Sequence, residues 1–134
     1  MTLQIRVIAP DQIVWDANAE EVILPSSTGQ LGILTNHIPL LTALDIGVMR
    51  VRIDTQWQPI ILLGGFAEVD NNNITILVNG AETIAEIDIA EAQKNLDQAT
   101  QVLSEATTNK EKIEATQNLR KARARIQAAN VLNN

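Results

Sequence analysis

The sequence contains no cysteine, which excludes disulfide staples, thiol chemistry and the thiolate sites of zinc fingers. Its one histidine is His37, so no imidazole cluster can gather around a metal. Aromatic side chains are scarce. Trp15, Trp57 and Phe66 are the only three, and any core must be built from Ile, Leu and Val. Proline and glycine are both absent after Gly80, so nothing there interrupts a helix. The longest apolar run, 60–63 extended through Gly64-Gly65 to Ala67, falls far short of the roughly 20 residues that a bilayer-spanning helix needs. The opening MTLQIRVIAP lacks the basic start and long apolar stretch of a secretory signal. These absences predict a soluble chain that meets a membrane only through partners, with no metal and no cofactor of its own.

With 134 residues, 46% of them apolar, the chain can form one packed domain plus an appendage. A net charge of −6 argues against nucleic acid as a partner. The charge is unevenly spread. Residues 1–87 carry ten acids against three bases, and 88–109 carry four acids against one base. Residues 110–134 reverse the balance, with six bases against two acids.

The first part reads as closely spaced strands. Leu3, Ile5, Val7 and Ala9 alternate with Gln4, Arg6 and Ile8, and Pro10-Asp11 closes the run with a turn. Met49, Val51 and Ile53 alternate with Arg50 and Arg52, placing both cations on one solvent face. Asn71-Asn72-Asn73 turns into another strand, and Asn79-Gly80 carries the strongest hairpin signal, because both residues tolerate the positive φ of a type I′ turn. The pattern predicts an antiparallel sandwich or barrel.

At Asp88 the period changes. Ile89, Ala92, Leu96, Ala99, Leu103 and Ala106 recur at alternating spacings of three and four, as do Ala115, Leu119, Ala122, Ile126 and Ala129. Asp88 with Glu91, and Thr108 with Glu111, form capping boxes at the starts of two helices. A short polar link between them predicts an antiparallel hairpin. Its seam is alanine-rich, so the hairpin is expected to lean on the β domain or on a partner, in a docked state that can exchange.

No catalytic constellation emerges. His37, in Leu34-Thr35-Asn36-His37-Ile38-Pro39, lacks any nucleophile elbow and reads as a turn histidine bonded to backbone. Glu20-Glu21 reads as a solvated strand edge. The glycines in Gly29-Gln30-Leu31-Gly32 and Gly64-Gly65 match no phosphate loop and are more simply turns, bulges or close approaches. Arg120, Lys121, Arg123 and Arg125 put four cations in six residues. From the residues alone, a solvated helix face and an electrostatic dock for an acidic partner are about equally supported.

The stretch Gly29-Gln30-Leu31-Gly32-Ile33-Leu34-Thr35-Asn36-His37-Ile38-Pro39-Leu40 resembles the G-x-x-G-x-x-x-x-H-x-P-L signature of the epsilon subunit of F-type ATP synthases. The opening strand, Gly64-Gly65-Phe66 and Ala81-Glu82 fit the same family in the same order. Ile13-Val14-Trp15-Asp16 and Asp45-Ile46-Gly47 look most like its cyanobacterial and chloroplast branch. The resemblance implies an α+β chain: a β-sandwich of about ten strands over 1–86, then a two-helix hairpin over 87–134.

It also implies a non-catalytic place in the central rotor stalk, peripheral on the cytoplasmic or stromal face of an energy-transducing membrane such as the thylakoid. The sandwich would bind the gamma subunit and the c-subunit ring, with Gly29, Gln30, Leu31, Gly32 and His37 at that contact and Gly29–Leu34 as a loop facing the ring. Some members carry an acid where this chain has Gln30. The helices can extend into the catalytic head, where Arg120, Lys121, Arg123 and Arg125 match a basic region that meets the beta subunit and impedes ATP hydrolysis. Some members bind ATP through I/L-D-x-x-R-A. Here Asp88 and Ala92 fit, with Lys121 and Arg125 available from the second helix, while Glu91 replaces the arginine. ATP binding is expected to be weak or absent. The alternative class is a free-standing ligand-binding sandwich with a helical tail.

Overall fold

The computed structural model describes residues 2–132; the outermost residues of the two expected segments, 1 and 133–134, lie outside them. Strands β1 (Leu3–Ala9), β2 (Gln12–Ala19), β3 (Glu21–Ser26), β4 (Gly29–Leu34), β5 (Leu40–Ile53), β6 (Gln56–Asp70), β7 (Asn73–Val78) and β8 (Ala81–Thr83) come first. A single 3-10 turn, Ile84–Glu86, leads into helices α1 (Ile89–Glu105) and α2 (Asn109–Leu132). The strands hydrogen-bond in the order β2-β1-β7-β6-β5-β3-β4, with β8 also on β6.

Eight strands are seen among the described residues, rather than the ten expected, and the reason lies in β5 and β6. These run 14 and 15 residues, and each serves both layers of the sandwich. The later part of β6, Gly65 to Asp70, pairs with β7, whereas Ile60, Ile61 and Leu62 pair with β8. The bend falls where the register between β5 and β6 skips Asp45 and Gly64, between the pairs Leu44–Gly65 and Ile46–Leu63. Gly64 and Gly65 sit at φ 85° and 153°, and a Cβ on Gly65 would collide with the Leu77 carbonyl. A side chain there would force the strands apart.

One aliphatic core fills the space between the layers. The alternation of β1 turns Leu3, Ile5 and Val7 inward, and Val22, Leu24, Ile33, Met49, Val51, Ile60, Leu62, Ile74 and Ile76 join them, all essentially inaccessible. The type I′ signal at Asn79-Gly80 is not a hairpin. Neither residue has positive φ, and β7 and β8 do not pair. The segment instead follows the bend of β6: the Asn79 N–H donates to the Gly64 carbonyl at 3.0 Å, and the Leu63 N–H to the Gly80 carbonyl at 2.9 Å. The two-residue turn with paired positive φ is Asn71-Asn72, at 52° and 66°, joining β6 to β7.

Both helix caps form. The Asp88 carboxylate accepts from the Glu91 N–H at 3.1 Å. Thr108 Oγ1 accepts from the Glu111 N–H at 3.1 Å, while Glu111 Oε2 accepts in return from the N–H groups of Thr107 and Thr108 at 3.0 and 3.4 Å. Ala115, Leu119, Ala122 and Ala129 are buried along α2, with Ala92 of α1. Ile89 departs from the expected seam. It opens α1 and remains 55% exposed. The hairpin does lean on the sandwich. Ala124 and Ala128, a turn-and-a-bit apart on a second face of α2, are buried with Ile61 of β6, bordered by Val48, Leu63, Ile84 and Ile87.

Candidate functional site

The basic segment of α2 is split by the way the helix lies. With Ala124 and Ala128 against the sheet, a 100° step per residue puts Lys121 and Arg125 on one flank and Arg120 and Arg123 on the other. The four cations therefore do not form one patch.

On the first flank, Arg125 reaches Glu82 of β8 with a two-pronged contact: Nε donates to Oε1 and Nη2 to Oε2, both at 2.8 Å. The side chains are 28% and 22% exposed, which places the pair well inside the range where charge-assisted bonds matter. The hydrogen bonds from Arg125 hold the Glu82 carboxyl below its ordinary value; desolvation opposes this, and the charges of Arg125 and Lys121 add to it. Arg125 is shifted up by the same bond. Glu82 lies directly across from Ile61 in the β6–β8 register, and Ile61 across from Val48 of β5. This row is the platform on which α2 rests.

Beside the ion pair opens a cavity of about 420 Å³ lined by Glu82, Asp88, Glu91, Ala92, Asn95 and Arg125, among others. Three of the four residues considered for a nucleotide contact, Asp88, Ala92 and Arg125, do meet here, and Lys121 is close enough to act on Glu82. The lining is nonetheless acidic: Glu82, Asp88 and Glu91 surround one guanidinium that is already paired. A polyphosphate entering it would face like charge.

On the second flank, Arg120 and Arg123 line a groove with Asp45 and Gln127, and among the described residues neither forms an ion pair. The adjoining groove, sharing Asp45 and Gln127, reaches Gly29 and Gln30. The Gly29–Leu34 segment, expected as a loop, is strand β4 at the sheet edge, because it pairs with β3 along its full length after the Ser27-Thr28 turn. Within it, Gln30 Oε1 accepts from Arg50 Nη2 at 2.9 Å, and Leu31 packs toward the core. Gly32 keeps ordinary φ with open space where a Cβ would stand. His37 lies apart, between β4 and β5, its Nδ1 2.7 Å from the Ile38 carbonyl. Among the described residues, no three His, Asp or Glu side chains group as metal ligands.

One feature of the surface escaped the sequence reading. Ala43, Phe66, Leu77, Ile8 and Ile13 stand in register across β5, β6, β7, β1 and β2. Phe66, Leu77 and Ile13 are each more than half exposed. This is an apolar row crossing five strands on the sandwich. No single strand signals it, since each contributes one residue; only the register assembles it.

Two family models together match nearly the whole chain: the ATP synthase delta/epsilon chain β-sandwich domain over residues 2–84, and the long α-helix domain of the same chain over 85–130. The chain is 75% identical over 134 residues to the chloroplastic ATP synthase epsilon chain of Gracilaria tenuistipitata var. liui, covering 100% of both. It is 74% identical over 129 residues to that of Pyropia yezoensis, covering 96% of both. The ATP synthase epsilon chain of the cyanobacterium Thermosynechococcus vestitus is 60% identical over 132 residues, with 96% of each covered. Among solved structures, a chain of the Euglena gracilis mitochondrial ATP synthase OSCP/F1/c-ring assembly superposes with a TM-score of 0.82 at 20% identity, covering 96% of this chain and 81% of that one. At that identity the likeness speaks for the fold.

Proposed function

This chain belongs to the ATP synthase delta/epsilon family, and we propose on that premise that it works in the central stalk of an F-type ATP synthase. It is a non-catalytic subunit. Its sandwich, residues 1–86, couples the ring of c subunits to the gamma subunit, and its hairpin, residues 87–134, restrains ATP hydrolysis by meeting the catalytic head. The chloroplastic and cyanobacterial names of its relatives favour a thylakoid-associated complex, with this subunit on the stromal or cytoplasmic side.

The observation that carries the docking half is the apolar row through Phe66 and Leu77, an exposed stripe on a strand set whose other side is fully packed. It is the kind of surface that a partner covers. Gly29, Gln30 and Gly32, on an edge strand, with His37 beyond its end, supply a polar contact for the ring. The inhibitory half is supported by the alanine footprint of α2, small enough to let go, and by Arg120 and Arg123, which form no ion pair among the described residues. Together with Lys121 and Arg125 they would meet an acidic surface of the beta subunit, with the alpha subunit alongside. Nucleotide has no evident role at Asp88, Ala92, Lys121 and Arg125, given the three carboxylates there; calorimetric titration should detect no micromolar ATP affinity.

The test compares ATP hydrolysis by the assembled complex carrying the full chain, a truncation after Ala85, or alanine at Arg120, Lys121, Arg123 and Arg125. Both variants should hydrolyse faster. Unchanged rates in both would remove the inhibitory role. Phe66→Glu with Leu77→Glu should separately weaken assembly with the gamma subunit.

A further inference from the structure

Arg125 faces two demands. In the folded-down hairpin its Nε and Nη2 grip both oxygens of Glu82, yet the inhibitory reading, on which this inference rests, asks the same side chain to meet acids of a partner. That edge of a guanidinium accommodates one carboxylate in the two-pronged mode at a time. Arg120 and Arg123 are not so bound: they sit on the opposite flank, beside Asp45 but in no ion pair among the described residues.

The placement of Glu82 makes the contact more than a surface pairing. Glu82 sits at the edge of the Val48–Ile61–Glu82 row on which α2 rests. Its carboxylate is thus fixed where Arg125 arrives only when Ala124 and Ala128 are seated. The alanine contact is short-ranged and without direction, whereas the ion pair is directional. It therefore selects one seating of the helix.

We infer that Glu82 is an internal carboxylate competitor for Arg125, occupying in the folded-down hairpin the guanidinium edge that an acidic partner would take. The competition has two consequences that pull together. Removing Glu82 both loosens α2 and frees the cation that the partner seeks. Removing Arg125 loosens α2 equally but takes away the cation.

The experiment uses three full-length variants, each as the free chain and in the reassembled complex: Glu82→Gln, Arg125→Gln, and the exchange of Glu82→Arg with Arg125→Glu. Amide exchange across 109–132 reports seating, and ATP hydrolysis reports docking. Glu82→Gln should speed exchange of α2 about tenfold, in keeping with a partly buried charge-assisted pair, leave the sandwich amides unchanged, and deepen inhibition. Arg125→Gln should speed exchange similarly and relieve inhibition. The exchanged pair should restore slow exchange without restoring inhibition. Opposite effects of the first two variants on hydrolysis are the mark of a competitor; a merely structural ion pair would move both the same way. Unchanged exchange in Glu82→Gln, or hydrolysis shifting in one direction for both single variants, overturns the competition. Faster exchange with hydrolysis indifferent to all three variants overturns the inhibitory reading and the competition's role in it.

Discussion

Ala124 of α2 is buried against Ile61 of β6, each 1% exposed, and that contact joins two parts whose cores are otherwise separate. Ile61 points away from the main core, which holds its neighbours Ile60 and Leu62. The helix thus rests on one side of a strand whose other side already belongs to the sandwich.

That separation predicts where a packing fault will be felt. Ala124→Leu forces extra carbons into a filled contact, at a cost of about 1–3 kcal/mol. The cost should fall on docking of the hairpin and not on the sandwich. Segment-resolved amide exchange is the measurement: faster exchange in α2 with unchanged exchange in β1, β6 and β7 is expected. Equal losses in both would mean that the two parts unfold as one.

Two glycines should respond oppositely to the same change. Gly65→Ala places a Cβ on the Leu77 carbonyl and 2.8 Å from Val78 Cα, at φ 153°. It should destabilise the sandwich by about 3 kcal/mol or more in urea denaturation. Gly32→Ala meets open space at ordinary φ and should leave the isolated chain unchanged or up to about 1 kcal/mol more stable. A loss of complex assembly by Gly32→Ala, despite intact stability, would locate a partner's close approach there.

Much of this was legible in the residues themselves. The inward side of β1 follows from Leu3, Ile5 and Val7, and both helix starts follow from Asp88 and Thr108. What could not be read has a common physical cause: it depends on contacts between distant segments. A bend at Gly64-Gly65 makes one strand serve two layers, so the ten strands that the resemblance implies are eight here. Asn79-Gly80 has hairpin chemistry but is held against the bend of β6 by its bonds to Gly64 and Leu63. Ala124 and Ala128 carry too little apolar signal to announce a second helix face. Glu82 and Arg125 are 43 positions apart, and no periodicity links them.

The turn between the helices offers a third test. Thr108 caps α2 through its Oγ1, while Glu111 receives the N–H groups of Thr107 and Thr108, which hold the Glu111 carboxyl below its ordinary value. Thr108→Ala should cost about 1 kcal/mol. The loss should be seen as fraying of the first turn of α2 in amide exchange, with α1 unaffected. Thr108→Ser should retain most of the cap.

Acid should release the hairpin through Glu82. Its carboxyl titrates below 4.5 when paired and regains its ordinary value when α2 leaves. The stabilisation is therefore fully present above about 4.5 and is lost as pH falls through the lower, paired value. The groups facing it are Arg125 and Lys121 from α2, and Glu91 of α1 with its capping residue Asp88, across the shared cavity. Exchange of α2 relative to the sandwich should stay flat down to about pH 5 and quicken below 4.5. Glu82→Gln should remove most of that step; an identical step in the variant would assign it to other carboxylates.

The strands shared between layers also bear on how the sandwich carries load. A sandwich joined only by loops can shear, one sheet sliding over the other. Here β5 and β6 act as a pair of beams running from the end near Leu40 and Val69, past the Val48–Ile61 pair beneath α2, to the end at Ile53 and Gln56, laced together by their register. The bend at Gly64-Gly65 would be the compliant point of such a beam, yet the Asn79 and Gly80 backbone braces it from the side with bonds to Gly64 and Leu63. A twist applied to one layer should reach the other with little slack, and softening that brace should cost stiffness before it costs fold.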